Sequence, residues 1–239
     1  MPMLAGRVEI NTAQITLPLF WGRHFSFENY FIDQSSFVIT SLKRLIDADG
    51  ERMIGLWGGQ DSGKTHLLNA SAFYARERGS GFQLYDGLQL VDCDPAQFDG
   101  IIDDSILAID NMDAVCGCRS WEMALYRLIN QSREQNAGLI FSLSTSPQNL
   151  TCALADFQSR LSWGLLLELP MAQELDVENI LRLRAQLLGI DLSDDVCAYL
   201  LSHYSRQLGH QMEILRKLDK VSLSTKRKIT IPFIKQVLS

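Results

Sequence analysis

Short apolar runs alternate with helix-like stretches over the first two thirds of the chain. Apolar runs bounded by turn residues are typical of buried strands, and strands separated by amphipathic helices favour a parallel sheet with helices on both faces. The runs assigned to strands are residues 53–57, 82–85, 106–109, 139–143 and 163–169. Helices are predicted to begin at residue 66 and to cover residues 121–135. Residues 26–48 form a mixed apolar segment without an assigned element.

The pattern changes after Pro170, where helical spacing replaces apolar runs. The predicted helices are residues 174–188, which Gly189 ends, then residues 193–204 and 212–223, and a short last helix with Pro232 in its first turn. The pattern therefore predicts an N-terminal tail at residues 1–22, an α/β domain at residues 23–170 and a small all-helical domain at residues 171–239.

Composition narrows the class of protein. The 239 residues are 46% hydrophobic and 21% charged, as in ordinary globular proteins. A net charge of −6 argues against a dominant nonspecific hold on DNA, although a local basic patch is compatible with it. The five cysteines have no regular spacing, so we expect reduced thiols rather than a disulfide framework or a zinc site. No apolar run reaches the roughly 18 residues of a membrane span, and no signal peptide is recognisable, so a cytoplasmic location is expected.

One continuous motif carries the strongest chemical signal. It reads Gly58-Gly59-Gln60-Asp61-Ser62-Gly63-Lys64-Thr65 and fills the pattern G-x-x-x-x-G-K-[ST] of a phosphate-binding loop. A predicted strand precedes it and a helix opening at His66 follows, so backbone N–H groups can converge on a diphosphate. Lys64 can reach the β- and γ-phosphates, and Thr65 can place its hydroxyl on Mg²⁺. The alternative is a plain Gly-rich turn.

A second candidate motif is an acidic residue at the end of the predicted strand 106–109. Asp110 fits a Walker B carboxylate that holds Mg²⁺ through its water shell, and the alternative is an Asp that caps the following turn. Hydrolases often place a second acid next, but here Asn111 follows, and an amide cannot accept a proton from water. Asp113 is a possible substitute, although its register is wrong for a residue at the end of a strand. The sequence thus predicts nucleotide binding more strongly than nucleotide turnover.

Five further segments resemble one known family. They are QITLPL at 14–19, IDNMD at 109–113, WEMA at 121–124, DFQSRLSWG at 156–164 and KITIPFIK at 228–235. Together with the phosphate loop they resemble the Hda family, DnaA-related regulators of the AAA+ superfamily, over nearly the whole chain. The resemblance implies a P-loop AAA+ αβα domain with a parallel sheet, followed by a helical lid.

The resemblance also implies a function. Hda proteins bind ADP or another nucleoside diphosphate with Mg²⁺ and dock on the DNA-loaded sliding clamp, the β subunit of DNA polymerase III. They stimulate hydrolysis of the ATP bound to DnaA and so inhibit the initiation of DNA replication. By this resemblance DnaA and the clamp are the partners, DNA is contacted mainly through the clamp, and independent ATPase activity is weak or absent. Self-association of the chain is left open.

Two partner-directed elements follow from the resemblance. Residues 14–19 look like the clamp-binding peptide, in which Gln14 would form a hydrogen bond while Leu17, Pro18 and Leu19 occupy an apolar cleft. The alternative is a tail strand that pairs with the edge of its own sheet. Arg160 is the candidate arginine finger, which would stabilise charge on the γ-phosphate of DnaA-bound ATP. The alternative for Arg160 is an i,i+4 ion pair with Asp156.

Some positions depart from the family pattern. The polar "sensor" position at the end of the fourth strand falls on Ser144, with Thr145 next, and a hydroxyl there can still bond a phosphate or a water. The "sensor 2" arginine of the lid falls on Gly209, and we assign the role to no other residue. The base is expected near residues 27–31 and the lid. The competing hypotheses are a working AAA+ ATPase that acts as a helicase or initiator loader, and a small-molecule kinase.

Overall fold

A five-stranded parallel sheet forms the centre of the larger part of the molecule. The computed structural model describes residues 25–31, 36–102, 105–225 and 227–238. The strands are β1 Met53–Trp57, β2 Phe82–Asp86, β3 Ile106–Asp110, β4 Leu139–Leu143 and β5 Leu165–Glu168. Their spatial order is β2-β3-β4-β1-β5, and all neighbouring pairs are parallel. The predicted α/β fold with a parallel sheet is confirmed.

Helices connect the strands and continue beyond them. They are α1 Ser36–Ile46, α2 Lys64–Glu77, α3 Gly87–Leu90, α4 Arg119–Glu134, α5 Ala155–Leu161, α6 Glu174–Leu187, α7 Asp194–His203, α8 Leu208–Thr225 and α9 Ile231–Leu238. Short 3-10 turns lie at Phe27–Asn29, Pro95–Phe98, Met112–Val115 and Pro147–Asn149. No helix in the described ranges is both long and apolar enough to cross a membrane.

Helix α1 was not predicted, although its sequence carries the signal. Its buried residues are Val38, Leu42, Leu45 and Ile46. Their spacing of four, three and one residues places them on one helical face. Helix α8 also begins four residues before the predicted start, because Gly209 is accommodated in its first turn.

The alternation of side chains along the strands separates two hydrophobic layers. In β4, Leu139, Phe141 and Leu143 join the cluster that includes residues of α4 and α5. Ile140 points to the other face and joins the cluster that includes residues of α1 and α2. Because successive strand residues face opposite sides, each strand supplies both layers. The prediction of helices on both faces is therefore confirmed.

The C-terminal helices pack on one another. A third cluster contains buried residues of α6, α7, α8 and α9, among them Leu181, Leu200, Leu218 and Phe233. These helices form the small all-helical part that the sequence predicts after the sheet. The exact domain boundaries at residues 22/23 and 170/171 stay predictions.

One buried carboxylate joins the segment after β3 to the segment before α5. Glu122 lies in the first turn of α4 and is fully buried. Its Oε1 accepts hydrogen bonds from the backbone N–H groups of Gly117, at 2.7 Å, and Ala153, at 2.9 Å. Its Oε2 accepts one from Leu154 at 2.6 Å. Backbone bonds to an ionised acceptor are strong, so Glu122 fixes the position of α5 relative to the carboxyl end of β3.

Candidate nucleotide-binding site

The predicted phosphate loop lies at the carboxyl end of the sheet. It connects β1 to α2, and β4 separates β1 from β3 in the sheet. The carboxyl ends of these three parallel strands are therefore neighbours, which brings Thr65, Asp110 and Ser144 to one edge. Ligands of open α/β sheets bind at this edge.

The loop has the backbone shape that its glycines permit. Gly63 immediately precedes α2 with φ of 81°, a left-handed conformation that costs glycine little. At Gly58 a side chain is excluded, because a Cβ atom there would lie 2.5 Å from the carbonyl oxygen of Leu169. The loop is thus curled at one end and tightly packed at the other, as a backbone cradle for phosphate requires.

Lys64 lies folded into the loop. Its Nζ donates hydrogen bonds to the carbonyl oxygens of Gly58 and Gly59, both at 2.7 Å, and to the Ser62 hydroxyl at 3.2 Å. The Tyr30 hydroxyl donates to the Ser62 carbonyl at 2.9 Å, which anchors the loop to the segment before α1. The ammonium group is therefore held among the backbone groups that would surround a diphosphate.

Thr65 and Asp110 meet directly. The Thr65 hydroxyl donates to Asp110 Oδ2 at 2.6 Å. The other carboxylate oxygen accepts from the Ser142 hydroxyl and, at 3.1 Å, from the Asn111 backbone N–H. A hydroxyl beside a carboxylate at a phosphate loop is the oxygen donor set that Mg²⁺ prefers, so these residues fit a nucleotide-bound Mg²⁺. When bound, the ion would neutralise phosphate charge.

The side chain of Asn111 bonds to the end of the neighbouring strand β2 and not to Asp110. The Asn111 φ of 50° is left-handed, and its side-chain amide donates to Asp86 Oδ1 at 3.0 Å. The bond ties the end of β3 to the residue that caps α3, since Asp86 also accepts from the Leu88 N–H at 3.1 Å. The Asn111 side chain is thereby committed to a structural contact.

Asp113 lies near the phosphate loop although, as expected from its register, it is not a residue at the end of a strand. The left-handed residue Asn111 reverses the chain, and the following 3-10 turn brings Asp113 back to the end of β4, where its carboxylate accepts from the Ser144 hydroxyl. Burial lowers the pKa of Lys64, while Asp110, Asp113 and Asp61 in that order oppose the shift. Asp113 therefore belongs to the electrostatic surroundings of the phosphate loop.

His66 is a neutral side chain that connects the phosphate loop to the C-terminal helices α6–α9, which are called the lid from here on. Its Nε2 lies 2.9 Å from the carbonyl oxygen of Ser26, and its Nδ1 lies 3.0 Å from Arg184 Nη2. Because a carbonyl only accepts and a guanidinium only donates, the proton is on Nε2. The pKa of His66 is lowered to about 4, mainly by burial; the hydrogen bond to the Ser26 carbonyl opposes this shift and the charge of Arg184 contributes to it. The rings of Phe25 and Tyr30 lie 5.3 and 5.7 Å from the imidazole.

The lid contacts the loop at a second point. The backbone N–H of Gly209, the residue at the expected position of the lid arginine, donates to Asp61 Oδ1 at 3.1 Å. A cavity of about 80 Å³ lies between the lid and the segments that precede α1 and open α2. Its walls are residues of the segment before α1, of the phosphate loop helix and of the lid: Asn29, Tyr30, Phe31, His66, Ile180, Arg184, Leu208 and Met212.

Arg160 lies outside this cleft, on α5. Its guanidinium carbon lies 3.4 Å from the centroid of the Trp163 ring, and its Nη2 donates to the Tyr126 hydroxyl at 3.3 Å. The guanidinium of Arg133 also lies over Trp163, at 4.4 Å. Within the described residues no carboxylate forms an ion pair with Arg160, so the alternative pair with Asp156 is not formed.

Two cysteine side chains lie next to the carboxylate of Glu122. The sulfur atoms of Cys116 and Cys152 and a Glu122 oxygen lie within 4.8 Å of one another. The sequence pattern did not predict this group. Since Glu122 already accepts three backbone hydrogen bonds, its carboxylate is largely committed.

The structure does not describe the predicted clamp-binding peptide. Gln14, Leu17, Pro18 and Leu19 lie outside the described residues. Sequence reasoning missed the roles of Tyr30, Trp163 and Arg184. The two aromatic residues stand within segments singled out in the sequence, at 27–31 and 156–164, whereas nothing in the sequence marks Arg184.

Comparisons with known proteins agree with this architecture. Residues 174–238 match the family model described as the lid domain of Hda. Domain III of the replication initiation protein DnaA from Thermotoga maritima is similar over 90% of this chain and 95% of its own length, with 20% identity and a TM-score of 0.74. AMPPCP-bound DnaA from Aquifex aeolicus is similar over 83% of this chain and 65% of its own length, with 18% identity and a TM-score of 0.67.

A branch-migration motor shares the fold as well. The Thermotoga maritima RuvB Holliday junction motor is similar over 91% of this chain and 72% of its own length, with 16% identity and a TM-score of 0.65. At these identities the likeness shows a common fold, and the match to the Hda lid concerns residues 174–238. Residues 174–238 are therefore similar to the lid domain of Hda, and the chain as a whole shares the fold of DnaA domain III.

Proposed function

We propose that this chain is a nucleoside-diphosphate-bound regulator that inhibits DNA replication initiation by stimulating hydrolysis of DnaA-bound ATP. The coarser conclusion, membership among DnaA-related regulators, rests on the lid match and the fold. The finer steps are nucleotide binding, docking on the sliding clamp and action on DnaA in the cytoplasm. Each has separate support.

Nucleotide binding is supported by the phosphate loop and its partners. The loop residues Gly58 to Thr65 would surround the diphosphate, and the backbone N–H of His66 would extend that cradle. Thr65 and Asp110 would hold Mg²⁺, and Ser144 would face the terminal phosphate. The Aquifex aeolicus relative was determined with AMPPCP, which is consistent with a nucleotide in this fold. ADP is the expected ligand, and another nucleoside diphosphate is compatible with the same loop.

Docking on the DNA polymerase III β sliding clamp is supported by sequence resemblance. Residues 14–19 contain an amide side chain followed by Leu17, Pro18 and Leu19, which suits an extended peptide in an apolar cleft. DNA would then be contacted mainly through the clamp. Self-association that covers or exposes Arg160 is compatible with this arrangement.

The observation that carries the proposal is the state of Arg160. Its positive charge has no carboxylate partner within the described residues, and its Nε is buried without a hydrogen-bond partner there. A guanidinium that rests on an aromatic ring keeps its charge while its N–H edge can still meet an anion. Arg160 is therefore suited to contact the γ-phosphate held by a neighbouring DnaA molecule.

Reconstitution tests the complete proposal. ATP labelled on its terminal phosphate is loaded on DnaA, and phosphate release is followed with the DNA-loaded clamp and this chain. We expect rapid release only when both are present, and loss of stimulation in the Gln14→Ala/Leu17→Ala variant. Stimulation that is independent of the clamp would contradict the docking step, and no stimulation at all would contradict the regulator.

Asp113 gives a specific reason to test a second function, a working AAA+ ATPase such as a loader. Its carboxylate lies at the site and, unlike Asn111, can accept a proton from an attacking water. Steady phosphate release by the isolated chain, lost in Asp113→Asn, would favour this function. Release no faster than the background in both proteins favours the regulator.

A further inference from the structure

Arg184 occupies a place in the nucleotide cleft that no sequence pattern assigned. It lies on the lid helix α6, and its Nη2 bonds to His66, the residue directly after Thr65. Its guanidinium carbon also lies 4.7 Å from the centroid of the Phe25 ring. A lid cation thus reaches the first turn of the helix that follows the phosphate loop.

The position where a lid arginine was expected provides a different group. Gly209 contributes only a backbone N–H, and that N–H donates to Asp61 in the loop. The contact closes the lid on the phosphate loop without bringing a positive charge to it. The charged contact between the lid and this part of the cleft comes from Arg184, on another helix.

The surroundings of Arg184 disfavour its charged form. Burial lowers the pKa of Arg184, and the nearby Arg216 lowers it further, because desolvation and a like charge both disfavour the cation. Charged groups in such surroundings are frequent at binding sites, where a ligand offsets the cost. Arg184 also lines the cavity of about 80 Å³ between the lid and the segment before α1.

The walls of that cavity indicate which half of a nucleotide Arg184 would meet. The diphosphate half is provided for by the loop around Lys64. The cavity is instead bounded by Tyr30, Phe31, Leu208 and Met212, which offer flat and apolar surfaces. Such surfaces suit a stacked base. A guanidinium at this cavity offers hydrogen-bond donors to ring nitrogens or carbonyl oxygens.

We propose that Arg184 is a nucleotide-binding residue that the lid supplies to the nucleoside half of the ligand, in the absence of an arginine at position 209. The inference rests on the proposed nucleotide binding and adds the residue that recognises the base end. Lid closure and base recognition would then depend on one side chain. Because a guanidinium only donates, Arg184 favours bases that present acceptors to the lid.

Calorimetric titration with Mg-ADP and, separately, with inorganic pyrophosphate tests this role. We expect Arg184→Ala to weaken ADP binding about tenfold or more, the range for hydrogen bonds from a charged group, and to leave pyrophosphate binding unchanged. The Arg184→Lys variant keeps the charge without the planar fork, so its ADP affinity should lie between those of the wild type and Arg184→Ala. Thermal unfolding of each variant establishes that the proteins compared are folded.

Arg182→Ala is the matched control on the same helix. Arg182 pairs with Glu178 and Asp194 within the lid, at 2.8 Å in both cases, so its removal should leave ADP affinity unchanged. Unchanged ADP affinity in Arg184→Ala would overturn the inference, and so would an equal loss of pyrophosphate affinity, which would indicate a general effect of the lid. A wild-type chain that binds neither ligand would overturn nucleotide binding itself, and this inference with it.

Discussion

Lys64 and Asp110 in the candidate nucleotide cleft form short hydrogen bonds to polar groups of their own chain. The guanidinium of Arg160 instead rests mainly on the rings of Trp163 and Tyr126, with a longer hydrogen bond of 3.3 Å to the Tyr126 hydroxyl. Hydrogen bonds are directional, so the cleft is fixed around the ligand that it is proposed to hold. A cation over a ring is held with less directional constraint and keeps its charge. The first region is therefore suited to holding a ligand, and the second to acting on a group outside the chain.

Removal of the Arg160 guanidinium should have the largest effect and should separate the two regions. A finger contributes about 10³–10⁵ in rate, so Arg160→Ala should lower the stimulated rate of DnaA-bound ATP hydrolysis about 10³-fold. ADP binding should stay at the wild-type level, because Arg160 lies outside the cleft. The measurement is phosphate release from DnaA at saturating clamp.

Arg133→Ala is the control for charge on the same face. Arg133 also lies over Trp163, so its loss removes a neighbouring cation without removing the finger. Full stimulation by Arg160→Ala, or a loss as large in Arg133→Ala, would show that the face contributes general charge rather than a finger.

Glu122→Ala should break the connection between the two regions. It leaves three partly buried backbone N–H groups without their acceptor, and each lost bond to the carboxylate costs about 1 kcal/mol. We expect the free energy of unfolding to fall by about 3 kcal/mol in urea titrations. Glu134→Ala, at an exposed position of the same helix, should change it by no more than about 0.5 kcal/mol.

Acid should weaken the cleft side through His66. Its pKa is about 4 in the folded chain and about 6.5 when unfolded, so between these values the unfolded state binds more protons. Stability contributed by neutral His66 is therefore present above pH 6.5 and is lost as pH falls towards 4. From pH 7 to pH 5 the loss should be about 2 kcal/mol.

Because carboxylates also titrate in acid, the test compares the wild type with His66→Gln. The difference between their unfolding free energies should change by about 2 kcal/mol between pH 7 and pH 5. Equal pH dependence of the two proteins would mean that His66 is not held neutral, and an imidazole titration by NMR would show the same directly.

The two regions also differ in how far the sequence predicts them. The cleft follows from eight consecutive residues, whose backbone shape is local and whose strand neighbours are predicted by apolar runs. The position of Asp113 beside Ser144 could not be derived from strand register, because it depends on the left-handed reversal at Asn111. Arg184 lies 118 residues from His66, and a contact of that span depends on how the lid packs, which the local pattern does not contain.

On the finger side the sequence indicated a residue but not its surroundings. Arg160 stood out through the family resemblance, and the i,i+4 rule offered Asp156 as its partner. The structure instead pairs Arg160 with the ring of Trp163, three residues along, and with Tyr126 from α4. The contact with Trp163 is local and lies just past the end of a short helix, whereas the contact with Tyr126 is tertiary and depends on how α4 and α5 pack.

The smallest expected effect is that of removing the Trp163 ring, which tests whether this ring positions Arg160. If the ring positions the finger, Trp163→Ala should lower the maximal stimulated rate about fivefold, since a cation–π contact contributes about 1 kcal/mol. The amount of chain needed for half-maximal stimulation should change little, because docking on the clamp is proposed to depend on residues 14–19 and not on Trp163. Trp163→Phe retains a ring and should recover part of the rate. If both variants match the wild type, the stacking seen at Arg160 is only packing, and the finger is positioned by DnaA when the two proteins meet.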